Sequence, residues 1–332
     1  MHLRLHMNES PYPPPPLAVE LASRYAGLAN LYEVEELEEQ LLDELSAYAG
    51  VERENIDLYA GSSEALLVAL VLAKVLGLEV VVTRPTFFLA YELAESVGVR
   101  LVPVRLRGQE FSLDGEELLR AAEGRLVYLA NPNNPTGNVV LSDEDLLARL
   151  ARRARMVFLD EAYYEFSGVT FKDAAVELEN VVVLRSLSKA FCLAGARVGY
   201  TVSSVRAKEL LARFRPGYEV SLLSQAAALG ALRSMDYVRS VVRRIVEVRE
   251  WLRGELLERG LQALESSTNF LLVRLGQPCE AASRALEERG VLVLCPGEWF
   301  EELSHHVRVT VGRKEDMEFF LRALEDAVRG KV

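Results

Sequence analysis

Apolar residues recur at helical spacing from Glu33 to Tyr48, where Leu37, Leu41, Leu42 and Leu45 share one face. Beyond that point the pattern alternates. Residues 61–77 (GSSEALLVALVLAKVLG) read as a helix, 79–85 (EVVVTRP) as a buried strand, and 86–98 (TFFLAYELAESVG) as a helix. Further strands are expected at VRLVPVRL, RLVYLANP, MVFLDEAYY, NVVVLRS and RVGYTVS, with LSDEDLLARLARRA, RAKELLARF and VSLLSQAAALGAL as helices among them. Unbroken apolar strands separated by helices imply a largely parallel sheet covered on both faces. A long helix is expected over Met235–Arg259, then strands near 269–275, 291–294 and 307–311, with helices at 278–289 and 315–328. The first thirty residues, rich in Pro and Tyr, look too irregular for a regular element. These patterns divide the chain into an arm (1–29) that joins the smaller domain, a large domain (30–234) and a smaller α+β domain (235–332).

Composition narrows the classes of function. The 332 residues carry 38 basic and 49 acidic side chains, a net charge of −11, which argues against a nucleic-acid or anionic-membrane surface. The apolar run Leu66–Ala73 falls far short of the ~20 residues of a membrane span. Prolines stand where a signal peptide needs an apolar core. The three cysteines (Cys192, Cys279, Cys295) are far apart, odd in number and lack metal-type spacing. They point to a reducing compartment, so a cytoplasmic location is expected. His2 and His6 read as a solvated tail and His305–His306 as loop surface, which leaves little support for a histidine triad or a metal site. Six lysines stand against thirty-two arginines, so a lysine inside an unusual motif draws notice.

The polar motifs fall where predicted strands end, the place at which open α/β sheets hold ligands. Thr86–Phe87, NPNNPTG (131–137), DEAYYEF (160–166) and SLSK (186–189) converge on one sheet edge. A lysine acts as a covalent catalyst through a Schiff base, and desolvation lowers its pKa for that task. Lys189, between Ser188 and Ala190–Phe191, has such surroundings. Asp160 ends a buried strand and needs a partner, which a cofactor's pyridinium nitrogen would be; an arginine salt bridge is the competing assignment. Asn134 and Tyr163 can both hydrogen-bond one phenolate oxygen. Ser186, Ser188 and Arg197, with the backbone N–H groups of Gly61, Ser62 and Ser63 at a helix start, can cradle a phosphate. Phe87 offers a ring face for stacking. Together these parts specify pyridoxal 5′-phosphate.

NPNNPTG, DEAYYEF, RSLSKAFCLAGARVGY (185–200) and RVTVG (308–312) resemble the signatures of the class I/II aminotransferases of fold-type I, and the likeness spans essentially the whole chain. That class has a seven-stranded, mostly parallel sheet and a smaller α+β domain. NESPYPPPP and SLSKAFCLAG are most similar to its histidinol-phosphate aminotransferase branch. The resemblance implies that Lys189 bonds the cofactor, Asp160 pairs its ring nitrogen, and Asn134 and Tyr163 hold its 3′-oxygen. It implies a phosphate site of Ser62, Ser63, Ser186, Ser188 and Arg197, with Tyr32 reaching the neighbouring subunit's phosphate in a homodimer that shares its active sites. Arg308 matches the clamp for a substrate α-carboxylate, and Tyr12 an arm residue that closes over substrate. The implied reaction transfers an amino group between an amino acid or amino-alcohol phosphate and the 2-oxoglutarate/glutamate pair.

The sequence also departs from that family. An acidic residue or asparagine is usual near Ser63, and tyrosine is common where Phe87 stands. Leu294 is apolar where an arginine at or beside that position reads the substrate phosphate; Arg24, Arg215 and Arg313 are the candidate replacements. That departure favours an aminotransferase for aromatic or other amino acids as one rival. A threonine-phosphate-type decarboxylase and a non-catalytic regulator are the others.

Overall fold

Alternate residues of each apolar strand feed two different cores, which is how a sheet with helices on both faces uses an unbroken hydrophobic run. The computed structural model describes residues 2–329. In chain order its strands are β1 (Leu3–Leu5), β2 (Ile56–Tyr59), β3 (Val80–Arg84), β4 (Leu101–Arg105), β5 (Leu126–Ala130) and β6 (Met156–Asp160). There follow β7 (Val181–Ser186), β8 (Gly199–Ser203), β9 (Gln262–Ala263), β10 (Phe270–Arg274), β11 (Val291–Val293) and β12 (His306–Thr310). Seven of them form one sheet in the order β2-β8-β7-β6-β5-β3-β4. The pairs from β4 through β7 are parallel, and β8 runs antiparallel to both β7 and β2. Val127, Val157 and Val183 pack on one face with Leu37, Leu41 and Leu45. Tyr128, Phe158 and Val182 face the other way, onto the helix Ser62–Val75 through Ala65, Leu66 and Ala69.

The remaining strands build a smaller unit. β12, β10 and β9 form an antiparallel sheet, and β1 pairs in parallel with β11. Leu271, Val307, Leu286 and Phe320 fill its core together with Leu5 from the N-terminal arm. The helix Met235–Glu258 serves both units, with Val238 in the larger core and Leu252 and Leu256 in the smaller.

Four sequence expectations need correction. The arm is not irregular throughout, because it contains β1 and the helix Pro16–Tyr25. Pro16 sits at the first helical position, where its fixed φ suits a helix and its missing N–H costs nothing. That helix packs so tightly on Leu222–Leu232 that a Cβ on Gly230 would lie 2.6 Å from the Ala18 Cα. The arm thus joins the smaller unit by its strand and the larger one by its helix. Second, Cys279 and Cys295 form a disulfide, leaving Cys192 as the free thiol among the described residues. They are 16 residues apart in sequence, and the fold brings the start of the helix Cys279–Glu287 beside the segment after β11. The cysteine count therefore carries no argument for a reducing compartment. Third, His306 is the buried first residue of β12 and not loop surface, whereas His305 is exposed. Burial, with Arg274 and His305 adding to it, pushes the His306 imidazole down to about 4. Fourth, His6 is half-buried and not part of a solvated tail. Among the described residues no helix is long and apolar enough to cross a membrane.

Candidate active site

The carboxyl ends of β3, β5, β6 and β7 open onto a cavity of ≈ 480 Å³. Ser62, Ser63, Phe87, Asn134, Asp160, Tyr163, Ser186, Ser188, Lys189, Arg197 and Arg308 all line it. A wider cleft of ≈ 680 Å³, bounded by Tyr48, Tyr164, Glu165 and Arg239, has no comparable convergence of chemistry.

Lys189 lies in the loop that follows β7, and its Nζ donates to the carbonyl oxygens of Asn8 (3.1 Å) and Met7 (3.3 Å). Desolvation, reinforced by Arg308 and Arg197, pulls the amine down to about 7. Asp160 is the last residue of β6, and one carboxylate oxygen accepts the Tyr128 hydroxyl at 2.8 Å while the other accepts the Ala162 N–H at 3.1 Å. Burial raises its pKa against those two bonds and the Lys189 charge. Next to it, the buried Glu161–Arg185 pair, 2.9 Å apart, ties the end of β6 to β7. That tie sets Asp160 relative to the lysine loop.

Gly61 and Arg197 make the opposite wall. Gly61 has φ +82°, and a Cβ there would lie 2.5 Å from Arg197 Nη2, so only glycine lets the guanidinium approach the start of the helix. The first N–H groups of that helix are those of Ser62 and Ser63, with no side-chain cap among the described residues, an arrangement suited to an anion. Ser186 Oγ accepts the Ser188 N–H at 3.1 Å, and Arg197 Nη1 stands 3.5 Å from Ser188 Oγ. Arg308, buried on β12, donates to Asn134 Oδ1 at 2.7 Å and to the His6 carbonyl at 2.5 Å, while its Nε has no partner. Among the described residues neither Arg197 nor Arg308 has a carboxylate partner, unlike Arg185 and Arg215. Two unneutralised guanidiniums and an amine around one cavity make a site for anionic ligands.

Two further expected residues do not line this cavity; Tyr32 is expected at the neighbouring subunit's phosphate. The Tyr12 ring sits under the guanidiniums of Arg244 and Arg313 and packs against Val241 and Ile245, outside the cavity. Tyr32 is 83% exposed, with its ring 5.6 Å from that of Tyr218. Two further residues escaped the sequence reading. Tyr128, in the middle of an apolar strand, looks like ordinary core until its hydroxyl is seen on Asp160. Asn8, lost in the proline-rich arm, is buried, has φ +52° and bonds Tyr163. A polar residue just after an apolar alternation (Leu3, Leu5) was the only available signal.

The comparisons agree with this geometry. Residues 2–324 match the family model described as aminotransferase class I and II, and the chain belongs to that family. It is therefore a pyridoxal-phosphate-dependent aminotransferase. Histidinol-phosphate aminotransferases are among its relatives: one from Thermococcus gammatolerans is 38% identical over 86% of this chain and 80% of its own. Another, from Archaeoglobus fulgidus, is 35% identical over 98% of this chain and 99% of its own. The crystal structure of histidinol-phosphate aminotransferase from Sinorhizobium meliloti, in complex with pyridoxal 5′-phosphate, superposes with a TM-score of 0.87 at 28% identity, covering all of this chain and 92% of that one.

The cavity's own chemistry fits that cofactor. Among the described residues Asp160 is a buried carboxylate without a cationic partner at bonding distance, Lys189 is a desolvated amine, and the Gly61–Arg197 wall is an anion cradle a Cβ would fill.

Proposed function

We propose that this aminotransferase acts on histidinol phosphate with 2-oxoglutarate and glutamate as the co-substrate pair. The observation that supports the reading is Arg308, a buried guanidinium that has no carboxylate partner among the described residues, is held by Asn134, and lines the same cavity as Leu294 and Phe88. The amine-bearing carbon of histidinol phosphate carries its phosphate arm where an amino acid carries its carboxylate. One guanidinium can therefore take either anion in turn. The three replacement arginines have other surroundings. Arg215 is paired with Asp57 and Glu219, Arg313 lies over Tyr12, Arg24 is exposed, and none of them lines the cavity.

Bound pyridoxal phosphate supplies the electron sink for the reaction. Asp160 keeps a positive charge on its ring nitrogen. Asn134 and Tyr163 would hold its phenolic oxygen, Phe87 would offer the ring an apolar face, and Ser62, Ser63, Ser186, Ser188 and Arg197 would take the phosphate. Lys189 bonds the cofactor at rest. Its free Nζ would take the proton from the substrate Cα and later return a proton, a role that suits an amine pulled down to about 7. Tyr32 serves a second copy of the chain. It heads an exposed apolar patch with Leu28, Leu31, Tyr218 and Leu223, the kind of surface a homodimer covers.

A screen of amino donors against 2-oxoglutarate tests the substrate. Histidinol phosphate should turn over fastest. Faster turnover of phenylalanine or tyrosine would support the second reading, an aromatic aminotransferase, for which the apolar Leu294 and the stacked Phe88–Trp299 pair speak.

A further inference from the structure

The Asn8 side chain has only one orientation that satisfies its neighbours. Thr310 Oγ1 accepts the Asn8 backbone N–H at 3.0 Å, so the hydroxyl proton is free to go to Asn8 Oδ1, 3.1 Å away. With Oδ1 fixed there, Nδ2 faces Tyr163 and donates to its phenol oxygen at 2.9 Å. The backbone is held as firmly, since the Asn8 carbonyl accepts both Lys189 Nζ and Asn269 Nδ2 at 3.1 Å. Asparagine tolerates the left-handed φ of +52° better than most residues. A strained, fully buried polar residue spanning both structural units is not what packing alone would select.

Because the Tyr163 oxygen accepts from Asn8, its own proton must point away from the amide, toward the cavity, and it has no other acceptor among the described residues. The charged groups around the phenol are Arg308 on β12, Asp160 on β6 and Lys189, whose Nζ lies 5.9 Å from the ring centre. None of them is hydrogen-bonded to the phenol oxygen. We propose that Asn8 is a positioning residue that turns the Tyr163 hydroxyl into a fixed donor toward the cofactor's phenolic oxygen. The proposal rests on the assignment of Lys189 and Tyr163 made above. A donor aimed at that oxygen stabilises the deprotonated form of the bound chromophore and keeps its proton affinity low.

The test is a pH titration of the visible absorption of the pyridoxal-phosphate-loaded protein. Asn8→Gly keeps the left-handed backbone and removes the amide; Asn8→Asp keeps the shape but replaces the donor by an acceptor that pulls the phenol proton back. Both should raise the titration midpoint by about one pH unit, a tenfold change in proton affinity, with Asn8→Asp the larger. In a Tyr163→Phe background, Asn8→Gly should add nothing. An unmoved midpoint, or an equal shift in both backgrounds, overturns the proposal, even if melting temperatures fall. Should Asn8→Gly fail to fold, Thr310→Val, which frees the amide to flip, gives the same reading with the same two outcomes. Absence of any visible band in the unsubstituted protein would instead refute the assignment of Lys189, and the proposal with it.

Discussion

Arg308 and Asn134 are 174 residues apart in sequence, yet the guanidinium of one donates to the amide oxygen of the other at 2.7 Å. The bond joins the smaller unit to a loop at the edge of the large sheet. It also holds Arg308 at the lining of the cavity, where we propose that a substrate anion sits.

Removing that guanidinium should therefore cost transition-state binding. Arg308→Ala should lower kcat/KM for glutamate by about 3 kcal/mol or more, since a buried anion loses its charged partner. Arg308→Lys should recover only part, because an ammonium cannot make the two-pronged contact. Steady-state kinetics on both half-reactions gives the answer; equal turnover by the alanine variant would rule out the clamp.

Lys189 makes a prediction about stability. Its amine titrates at about 7 when folded, against the ordinary lysine value of 10.5. The unfolded chain thus binds a proton that the folded one lacks between those two values, and folding is penalised increasingly as pH falls from 10.5 to 7. Cofactor-free Lys189→Met should be more stable than the cofactor-free parent by roughly 4 kcal/mol near pH 7, the gap closing toward pH 10.5. Denaturant midpoints measured across that range check it. A gap that does not depend on pH would mean the amine is solvated. In the loaded parent, borohydride should fix a pyridoxyl group on the peptide containing Lys189.

The bond between Tyr128 and Asp160 can be tested without touching the carboxylate. Tyr128→Phe should raise the Asp160 pKa further and lower kcat about tenfold, since a neutral acid no longer supports a positive ring nitrogen. Asp160→Ala should cost several orders of magnitude. Near-normal turnover in the alanine variant would make the carboxylate structural.

The Cys279–Cys295 disulfide closes a loop of 16 residues, for which chain entropy suggests about 3 kcal/mol. Reduction or Cys295→Ser should lower the melting temperature accordingly. Cys295 adjoins Leu294, whose backbone bonds to Arg308 in both directions, so the KM for the anion should rise as well. Calorimetry with and without reductant, alongside KM values, separates the two effects.

The proposed sharing of active sites between two copies of the chain predicts complementation. Mixed dimers of Tyr32→Phe and Lys189→Ala should regain part of the activity that each variant lacks. A fully active monomer in sedimentation would exclude it.

The large sheet was readable because β3, β5, β6 and β7 are uninterrupted apolar runs, and because the chemistry follows each of them directly in sequence. Asp160 and Lys189 stand out as charges at the ends of such runs. The arm was misread because β1 has only three residues and gains its partner β11 from nearly 290 positions away. No local pattern carries a pairing of that kind. Tyr128 and the disulfide were hidden for the same reason: their roles depend on neighbours that only the folded chain supplies. Tyr12 is expected at the substrate by resemblance alone; its ring lies under the guanidiniums of Arg244 and Arg313.

The position of β1 has a consequence for the order in which the protein is made. The arm emerges first, but its strand has nowhere to pair until residues 291–293 exist, and Asn8 has no Thr310 to hold it until later still. The phosphate wall, Asp160 and Lys189 lie within residues 61–197 and are complete much earlier. A growing chain thus acquires the groups proposed to hold the cofactor long before the group proposed to hold the substrate. Its last-made strand, β12, delivers Arg308 and fastens the first-made segment in the same step.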